Sequence, residues 1–353
     1  MAVRTVDKDA TAILNYCTKY LARDDAGPRH NFGQFDDADL RARMAESWRF
    51  PLVDGYSDGV DFDAGYGYNE VTFVWRADGD AGSAQVSVVG TFGNLYEPIA
   101  LARVADTPFH AVTVVVPKGE VHHYKYLVDG RATLDPINPQ TATLDSGAVW
   151  SRFFTQLASE PVSFQRWEIA ILKRLTAHVL PFETVDAANF LSRFYDTLDV
   201  QAKTTQYAHA YRLDQPVGVV NFIDKLLARE ENHRLIDYRI CLRLIDRLLR
   251  LRNPYIEPSL MSKEMYRELY EQMASGDVPG WDYDAYGSPR FFLKLLRRHA
   301  FTGAFSHPKY GGNAGAAAWA YLEEKYRDPS GKTLFDWRRV IEKPLGTSPD
   351  YHG

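Results

Sequence analysis

Side chains able to do chemistry are plentiful in this 353-residue chain, but they are not spaced for it. Among ten histidines and two cysteines there is no His-x-x-x-His and no Cys-x-x-Cys. The adjacent pair His122-His123 falls in an extended run, where neighbours face opposite ways, so spacing encodes no metal site. Asp58, Asp61 and Asp63 crowd a loop in the manner of a calcium site, but the glycine comes too early and the closing glutamate is missing. Glu230-Glu231 reads as a solvated turn between helices. No Gly-x-Gly-x-x-Gly follows a strand, and no serine sits in a nucleophile elbow. The chain is therefore expected to carry no catalytic residue, no metal and no cofactor of its own.

The most informative stretch is His307-Pro-Lys-Tyr-Gly-Gly-Asn-Ala-Gly-Ala-Ala-Ala-Trp319. Pro308 biases His307 away from helix, and Gly311-Gly312 permits backbone angles closed to other residues. Asn313 reads as a helix N-cap, and the small face of Gly315, Ala316, Ala317 and Ala318 lets another backbone come close beside the ring of Trp319. A second aromatic group, Trp281, Tyr283 and Tyr286, lies in a Gly- and Pro-rich loop and has two readings, partner contact or local packing. Arg239, Arg243, Arg247 and Arg250 recur at helical spacing opposite an apolar face; they form either a strip for an acidic partner or a solvated outer face.

These residues must be positioned by three regions, giving a multidomain α and β chain. Residues 1–68 form an N-terminal helical extension and loop: a helix from about Asp7 to Arg23, a second around Asp37 to Trp48, then a Gly/Asp-rich loop from Pro51 to Tyr68. Residues 69–150 alternate in steps of two, as in Val71-Thr-Phe-Val-Trp75 and His122-His-Tyr-Lys-Tyr-Leu-Val128, with turns at Asp78-Gly79, Lys118-Gly119 and Asp129-Gly130. Such runs predict an immunoglobulin-like antiparallel β-sandwich. Residues 151–353 form an all-α helical domain, with apolar residues at helical spacing in 164–179, 217–250, 259–274 and 289–300.

Three landmarks in the helical region resemble the gluconate 2-dehydrogenase small subunit (subunit 3) family. Trp167-Glu-Ile-Ala-Ile-Leu-Lys-Arg-Leu-Thr-Ala-His-Val-Leu-Pro181 is similar to that family's opening helix, Asp214-Gln-Pro-Val-Gly-Val-Val-Asn-Phe-Ile-Asp224 to its second landmark, and the 307–319 stretch to its signature. The resemblance implies a non-catalytic accessory subunit that folds with and stabilises an FAD-dependent sugar or glycoside dehydrogenase of the glucose-methanol-choline type. FAD is then expected in the partner subunit of a hetero-oligomer, with a haem protein, quinone or other carrier accepting electrons. Interface residues are expected at His307, Pro308, Tyr310, Gly311, Gly312, Asn313 and Trp319, with Trp281, Tyr283 and Tyr286.

The β region has its own resemblance. Gln85-Val-Ser-Val-Val-Gly-Thr-Phe-Gly-Asn94, Val116-Pro-Lys-Gly-Glu120, His123-Tyr-Lys-Tyr-Leu-Val-Asp-Gly130 and Asp135-Pro136 are similar to the starch- and glycogen-binding modules of isoamylases and AMP-activated kinase. Those modules hold glucan mainly with two tryptophans and a lysine. Here the lysine is Lys125, but the tryptophan positions fall on Leu95, with Tyr96 beside it, and on Ala132, so carbohydrate binding at Tyr96 and Lys125 is expected to be weak or absent. The alternative to an accessory subunit is a stand-alone carbohydrate-binding or scaffolding protein.

Many members of the subunit-3 family begin with a twin-arginine signal. The first residues here, Met1-Ala-Val-Arg-Thr-Val-Asp-Lys-Asp-Ala, lack paired arginines and a secretory apolar run, which gives a cytoplasmic expectation. No stretch offers the ~18 apolar residues of a membrane span. A net charge of −5 and a pI near 6.1 give no electrostatic reason for nucleic-acid binding. Cys17 and Cys241, far apart on helix-like segments, are expected to be buried thiols rather than a disulfide.

Overall fold

The computed structural model describes residues 3–21, 47–55, 67–77, 84–156, 158–180, 184–196, 217–307 and 310–333. Most of the expected second helix, the Asp58, Asp61 and Asp63 loop, the Asp78-Gly79 turn, Asp214 to Pro216 and Pro308 lie outside the described residues. The described chain divides into two compact units, 3–160 and 161–333.

The first unit is built on two antiparallel sheets. One contains β1 (Thr5–Val6), β2 (Leu52–Gly55), β3 (Tyr68–Arg76), β6 (Ala102–Arg103) and β7 (Phe109–Pro117), in the order β1-β7-β3-β2 with β6 also on β7. The other contains β4 (Val86–Gly90), β5 (Ile99–Ala100), β8 (Val121–Val128), β9 (Arg131–Thr133), β10 (Thr141–Thr143) and β11 (Val149–Phe154), in the order β10-β11-β8-β4-β5 with β9 also on β8. Period-two alternation sends Val71, Phe73, Val114 and Val116 of one sheet and Val86, Val88, Tyr124, Tyr126 and Phe153 of the other into a common core. The Phe73 ring is its hub, with Phe92 and Tyr124 at 5.0 Å and Phe153 at 5.5 Å. Such ring pairs contribute about 0.5–1.5 kcal/mol each beyond burial.

The opposite face of β3 is buried too. Helix α1 (Ala10–Tyr16), capped by Asp9, continues into a wider turn at Cys17–Leu21. It places Ile13, Cys17 and Leu21 with Phe50 and Leu52 over Val74, Val104 and Ala111. That cover explains why β3 is buried on both faces, with Thr72 and Glu70 as well as Val74 on the covered side, which a sheet facing water on one side does not require.

Buried polar groups tie the second sheet to the turn after β9. Asp135 accepts hydrogen bonds from the Tyr124 hydroxyl at 2.6 Å and from the amides of Ile137 at 2.7 Å and Asn138 at 3.2 Å, and its own amide donates to Ser151 Oγ at 2.8 Å. Asn138 Nδ2 donates to Tyr124 Oη and to the Arg152 carbonyl.

The second unit is helical. It comprises α2 (Arg166–Val179), α3 (Val185–Asp196), α4 (Val219–Ala228), α5 (Leu235–Arg252), α6 (Lys263–Ser275), α7 (Pro289–Phe305) and α8 (Ala317–Lys325). Helix starts follow local rules: Gln165 and Glu168 form a capping box, and Ser262 and Ser288 accept from Met265 and Phe291 amides, with Pro289 in the first turn of α7. Helix α4 is buried almost all round, as a central helix must be. The others turn one stripe inward: Ile171, Leu172 and Leu175 from α2, Tyr238, Cys241, Leu242 and Ile245 from α5, and Phe292 and Leu296 from α7. Cys17 and Cys241 are buried in different units, and burial pushes the Cys17 thiol up to about 11.

Burial also pushes the Asp135 carboxyl up from 3.8 to about 6, against the hydrogen bonds from Tyr124 and the two amides. A carboxyl whose pKa is higher in the folded state contributes stability that is complete below its unfolded pKa and is lost as pH rises through the folded value. The first unit should therefore lose on the order of 2–3 kcal/mol between about pH 4 and pH 6 from this group alone. Melting curves of the parent and Asp135→Asn across that range check it. The parent should show the extra slope and the variant should lack it; parallel curves would show that Asp135 does not titrate there.

Candidate functional site

Two of the sequence landmarks meet at one corner of the helical unit. Gly218, at φ +67, turns the chain into α4, and a methyl placed on it would sit 3.1 Å from the Gly311 carbonyl oxygen. The Val217 carbonyl accepts from the Ala314 amide at 3.2 Å, and Asn221 Nδ2 from α4 donates to the Gly311 carbonyl at 3.0 Å. Gly311 is left-handed at φ +89, and Gly312 lies against α7: a methyl there would be 2.2 Å from the Gly303 carbonyl oxygen and 2.9 Å from Phe222 Cβ. Gly311 is thus demanded by its left-handed backbone and Gly312 by backbone approach within this chain.

Asn313 carries the join to α8. It is fully buried and left-handed at φ 44; Nδ2 donates to the Ser306 carbonyl at 2.9 Å while Oδ1 accepts from the Ala318 amide at 3.0 Å. It is not the N-cap expected from the sequence, a position taken by Ala316 because a 3-10 turn at Ala314–Ala316 intervenes, but its side chain holds an amide of the first turn of α8 from inside the protein. Ala316, Ala317 and Ala318 are buried as well, so this much of the small-residue face packs inward. Trp319 Nε1 donates to the Phe305 carbonyl at 2.8 Å, and its ring meets His307 edge-on at 6.1 Å. Of the described corner residues, Tyr310 is the one that stands out to solvent, 51 % exposed. The first link to solvent from this motif is therefore a tyrosine ring.

The same landmark that supplies Gly218 ends in Asp224, which is buried and does a separate task. Its carboxylate accepts from the amides of Val162 and Ser163 at 2.8 Å and Phe164 at 3.1 Å, with Lys225 Nζ at 2.8 Å, and its carbonyl accepts from Ser163 Oγ at 2.7 Å. One side chain thus fastens the chain entering the helical unit to the central helix.

The Trp281, Tyr283 and Tyr286 loop resolves mostly into local packing. Trp281 and Tyr286 are in the core, the indole donating to the Tyr286 carbonyl at 2.8 Å and the Tyr286 hydroxyl to Asp237 at 2.9 Å. Two of the three expected contact rings are therefore taken up internally, because the loop folds back over α5. Tyr283 remains 42 % exposed, its hydroxyl bonded to the Gly276 carbonyl and accepting from the Val278 amide.

Glu231 also departs from the solvated turn expected of Glu230-Glu231. It is half-buried, 2.5 Å from Arg298 and 3.0 Å from His299 Nε2, while His299 Nδ1 meets the Tyr238 hydroxyl at 2.9 Å. Burial would push Glu231 up, but the hydrogen bond and charge of His299 and the charge of Arg298 hold it below the usual range. Sequence spacing could not show this, since the partners lie over 60 residues away.

On the outer face of the second sheet, Lys125 has a neighbour that the sequence reading missed. Ser151 pairs with Tyr124, which sets Trp150 beside Lys125, and the ammonium lies 5.1 Å from the indole centroid. The signal was a cross-strand register, invisible in either strand alone. Tyr96 is 93 % exposed on the loop between β4 and β5, Leu95 is 45 % exposed beside it, and Ala132 is exposed on β9.

Two protein families match the chain. Residues 168–323 match gluconate 2-dehydrogenase subunit 3, and residues 69–150 match the glycogen recognition site of AMP-activated protein kinase. These are the families that the sequence resembled, in the same order. Among solved structures, an enterochelin esterase from Shigella flexneri is 21% identical over 27% of this chain and 32% of its own, with a TM-score of 0.24. The ferric enterobactin esterase of Salmonella typhimurium is 19% identical over 27% of this chain and 33% of its own, also with a TM-score of 0.24. The chain spans about a third of the length of these structures, and likeness at that level carries no argument about its activity. No curated protein matches the chain.

The corner's geometry gives a direct expectation. Gly312→Ala must displace the Gly303 carbonyl or Phe222, and should lower the stability of the helical unit by about 3 kcal/mol or more, the upper end for overpacking. Gly276→Ala, left-handed at φ +86 but with open space around it, should cost about 1–2 kcal/mol. Chemical denaturation of both variants measures the difference; equal losses would show that the corner can relax.

Proposed function

We propose that this chain is the non-catalytic small subunit of an FAD-dependent sugar or glycoside dehydrogenase of the glucose-methanol-choline type. The observation that carries the reading is the match of residues 168–323 to gluconate 2-dehydrogenase subunit 3. The way the Gly218 turn and the Gly311-Gly312-Asn313 corner interlock supports it, since it accounts physically for two of the landmark motifs. In the complex the partner's flavin takes a hydride from a sugar carbon, and this chain contributes fold and contact surface. Because the corner is largely internal, its part in the interface reduces to the exposed ring of Tyr310, and Tyr283 is the aromatic-loop residue left to reach a partner. No helix of the described residues is long and apolar enough to cross a membrane.

A second reading concerns the β unit, whose paired sheets with a common core support an immunoglobulin-like module. The Lys125 and Trp150 pair supplies one stacking ring and one cation on an outward face, enough for weak carbohydrate contact. The lysine covers the indole and must swing aside before a sugar ring can stack, which keeps the affinity low.

Two measurements test these readings. Produced alone, the chain should be colourless; produced with its flavoprotein, the co-purified complex should carry a flavin band near about 450 nm and oxidise a sugar. A stoichiometric flavin on the isolated chain would overturn the accessory-subunit reading. In glycogen affinity gels the chain should be slightly retarded, and Trp150→Ala or Lys125→Ala should abolish the retardation. Migration of the parent identical with and without glycogen would remove the carbohydrate reading.

A further inference from the structure

Lys125 on β8 stands opposite Trp150 on β11, and one row further along the same face His123 stands opposite Arg152. All four side chains are half-buried and point away from the core, since Tyr124, Tyr126, Ser151 and Phe153 take the inward positions. Trp150 and Arg152 are therefore about 7 Å apart along their strand, and each faces its neighbour on β8 across about 5 Å. The six strands of this sheet contain no aspartate or glutamate. Burial holds the His123 imidazole below its usual range; Glu160 counters this and Arg152 adds to it, so the ring is uncharged at neutral pH. Lys125 and Arg152 keep their charges, and Glu160 balances one of them at most.

The position of Lys125 decides what such a patch can hold. Its ammonium lies over the Trp150 ring, 5.1 Å from the centroid, on the face where a sugar would stack. A neutral sugar has to displace that cation and gives it only hydroxyl oxygens in return. A sugar bearing a carboxylate or phosphate gives it a charge-assisted hydrogen bond, roughly twice as strong as a neutral one, whereas a cation over an exposed ring is held weakly. The negative group therefore draws the lysine aside and bares the indole for the ring of the same molecule. Arg152, beside Trp150 on the same face, offers the anion a forked set of donors.

We propose that the outer face of the second sheet binds a sugar carrying a negative group, phosphate or carboxylate, with the sugar ring on Trp150 and the anion on Lys125 and Arg152. The inference rests on the carbohydrate reading of the β unit and sets its preferred ligand as an anionic sugar rather than neutral glucan.

Calorimetry on the full chain with glucose, a glucose phosphate, glucuronate and inorganic phosphate tests this, with Lys125→Gln and Trp150→Ala beside the parent. The two anionic sugars separate phosphate from carboxylate; at least one should bind about tenfold or more tighter than glucose, a preference that shrinks as salt is raised. Lys125→Gln should bring that sugar down to the level of glucose, and Trp150→Ala should remove sugar binding. Lys125 points away from the core, so the melting temperature of Lys125→Gln should hold, and this variant carries the test should Trp150→Ala fail to fold. Equal binding of glucose and both anionic sugars overturns the proposal and leaves the carbohydrate reading standing, as does retardation by glycogen with none of the small sugars bound. A preference that survives Lys125→Gln removes the assignment to this face. Inorganic phosphate binding as tightly as the glucose phosphate, unchanged by Trp150→Ala, would show an anion patch without a sugar subsite and would also overturn the proposal. If neither glycogen nor any of the sugars binds, the carbohydrate reading falls with it.

Discussion

The helical unit depends on one close approach, the backbone of Gly312 against the carbonyl of Gly303. Two helices and the turn between them can be drawn together only as far as their bulkiest contact allows, and here that contact is backbone on backbone. From it follow the seat of Phe222 beneath the corner, the reach of Asn221 to the Gly311 carbonyl and the buried position of Asn313. The motif that looks most like a surface signature is a constraint on the interior, and what it offers outward is secondary.

The two units satisfy their buried polar groups in different ways. In the helical unit, Asp224 and Asn313 each bind backbone from distant segments, so a few side chains set how the helices join. In the β unit, Asp135, Tyr124, Asn138 and Ser151 form a shared network in which the carboxyl is costly to ionise. The first arrangement fixes geometry; the second makes one sheet sensitive to its protonation.

Much of the layout was legible because it is local. Alternation marked β3, β4, β7 and β8, and helical spacing marked α2, α5, α6 and α7. What escaped was set by distance. Trp150 gains meaning only from its register with Lys125, and Glu231 only from His299 and Arg298. Trp281 and Tyr286 were placed in a loop correctly, but a loop that folds over α5 buries its rings. Leu251, exposed at the end of α5, was equally hidden, since it falls in the same helical repeat as residues that are buried and its outward direction depends on where α2 and α7 pack.

The Asn313 side chain also bears on how α8 breathes. Helix starts normally fray, because their first amides lack partners within the helix. Here the Ala318 amide is buried and held by an oxygen that is itself anchored through the Ser306 carbonyl of the preceding segment. Opening α8 from this end therefore requires separating it from the end of α7, so its first turn exchanges amide hydrogen with solvent on the timescale of the core rather than of a terminus. The start of α8 thus behaves as part of the bundle.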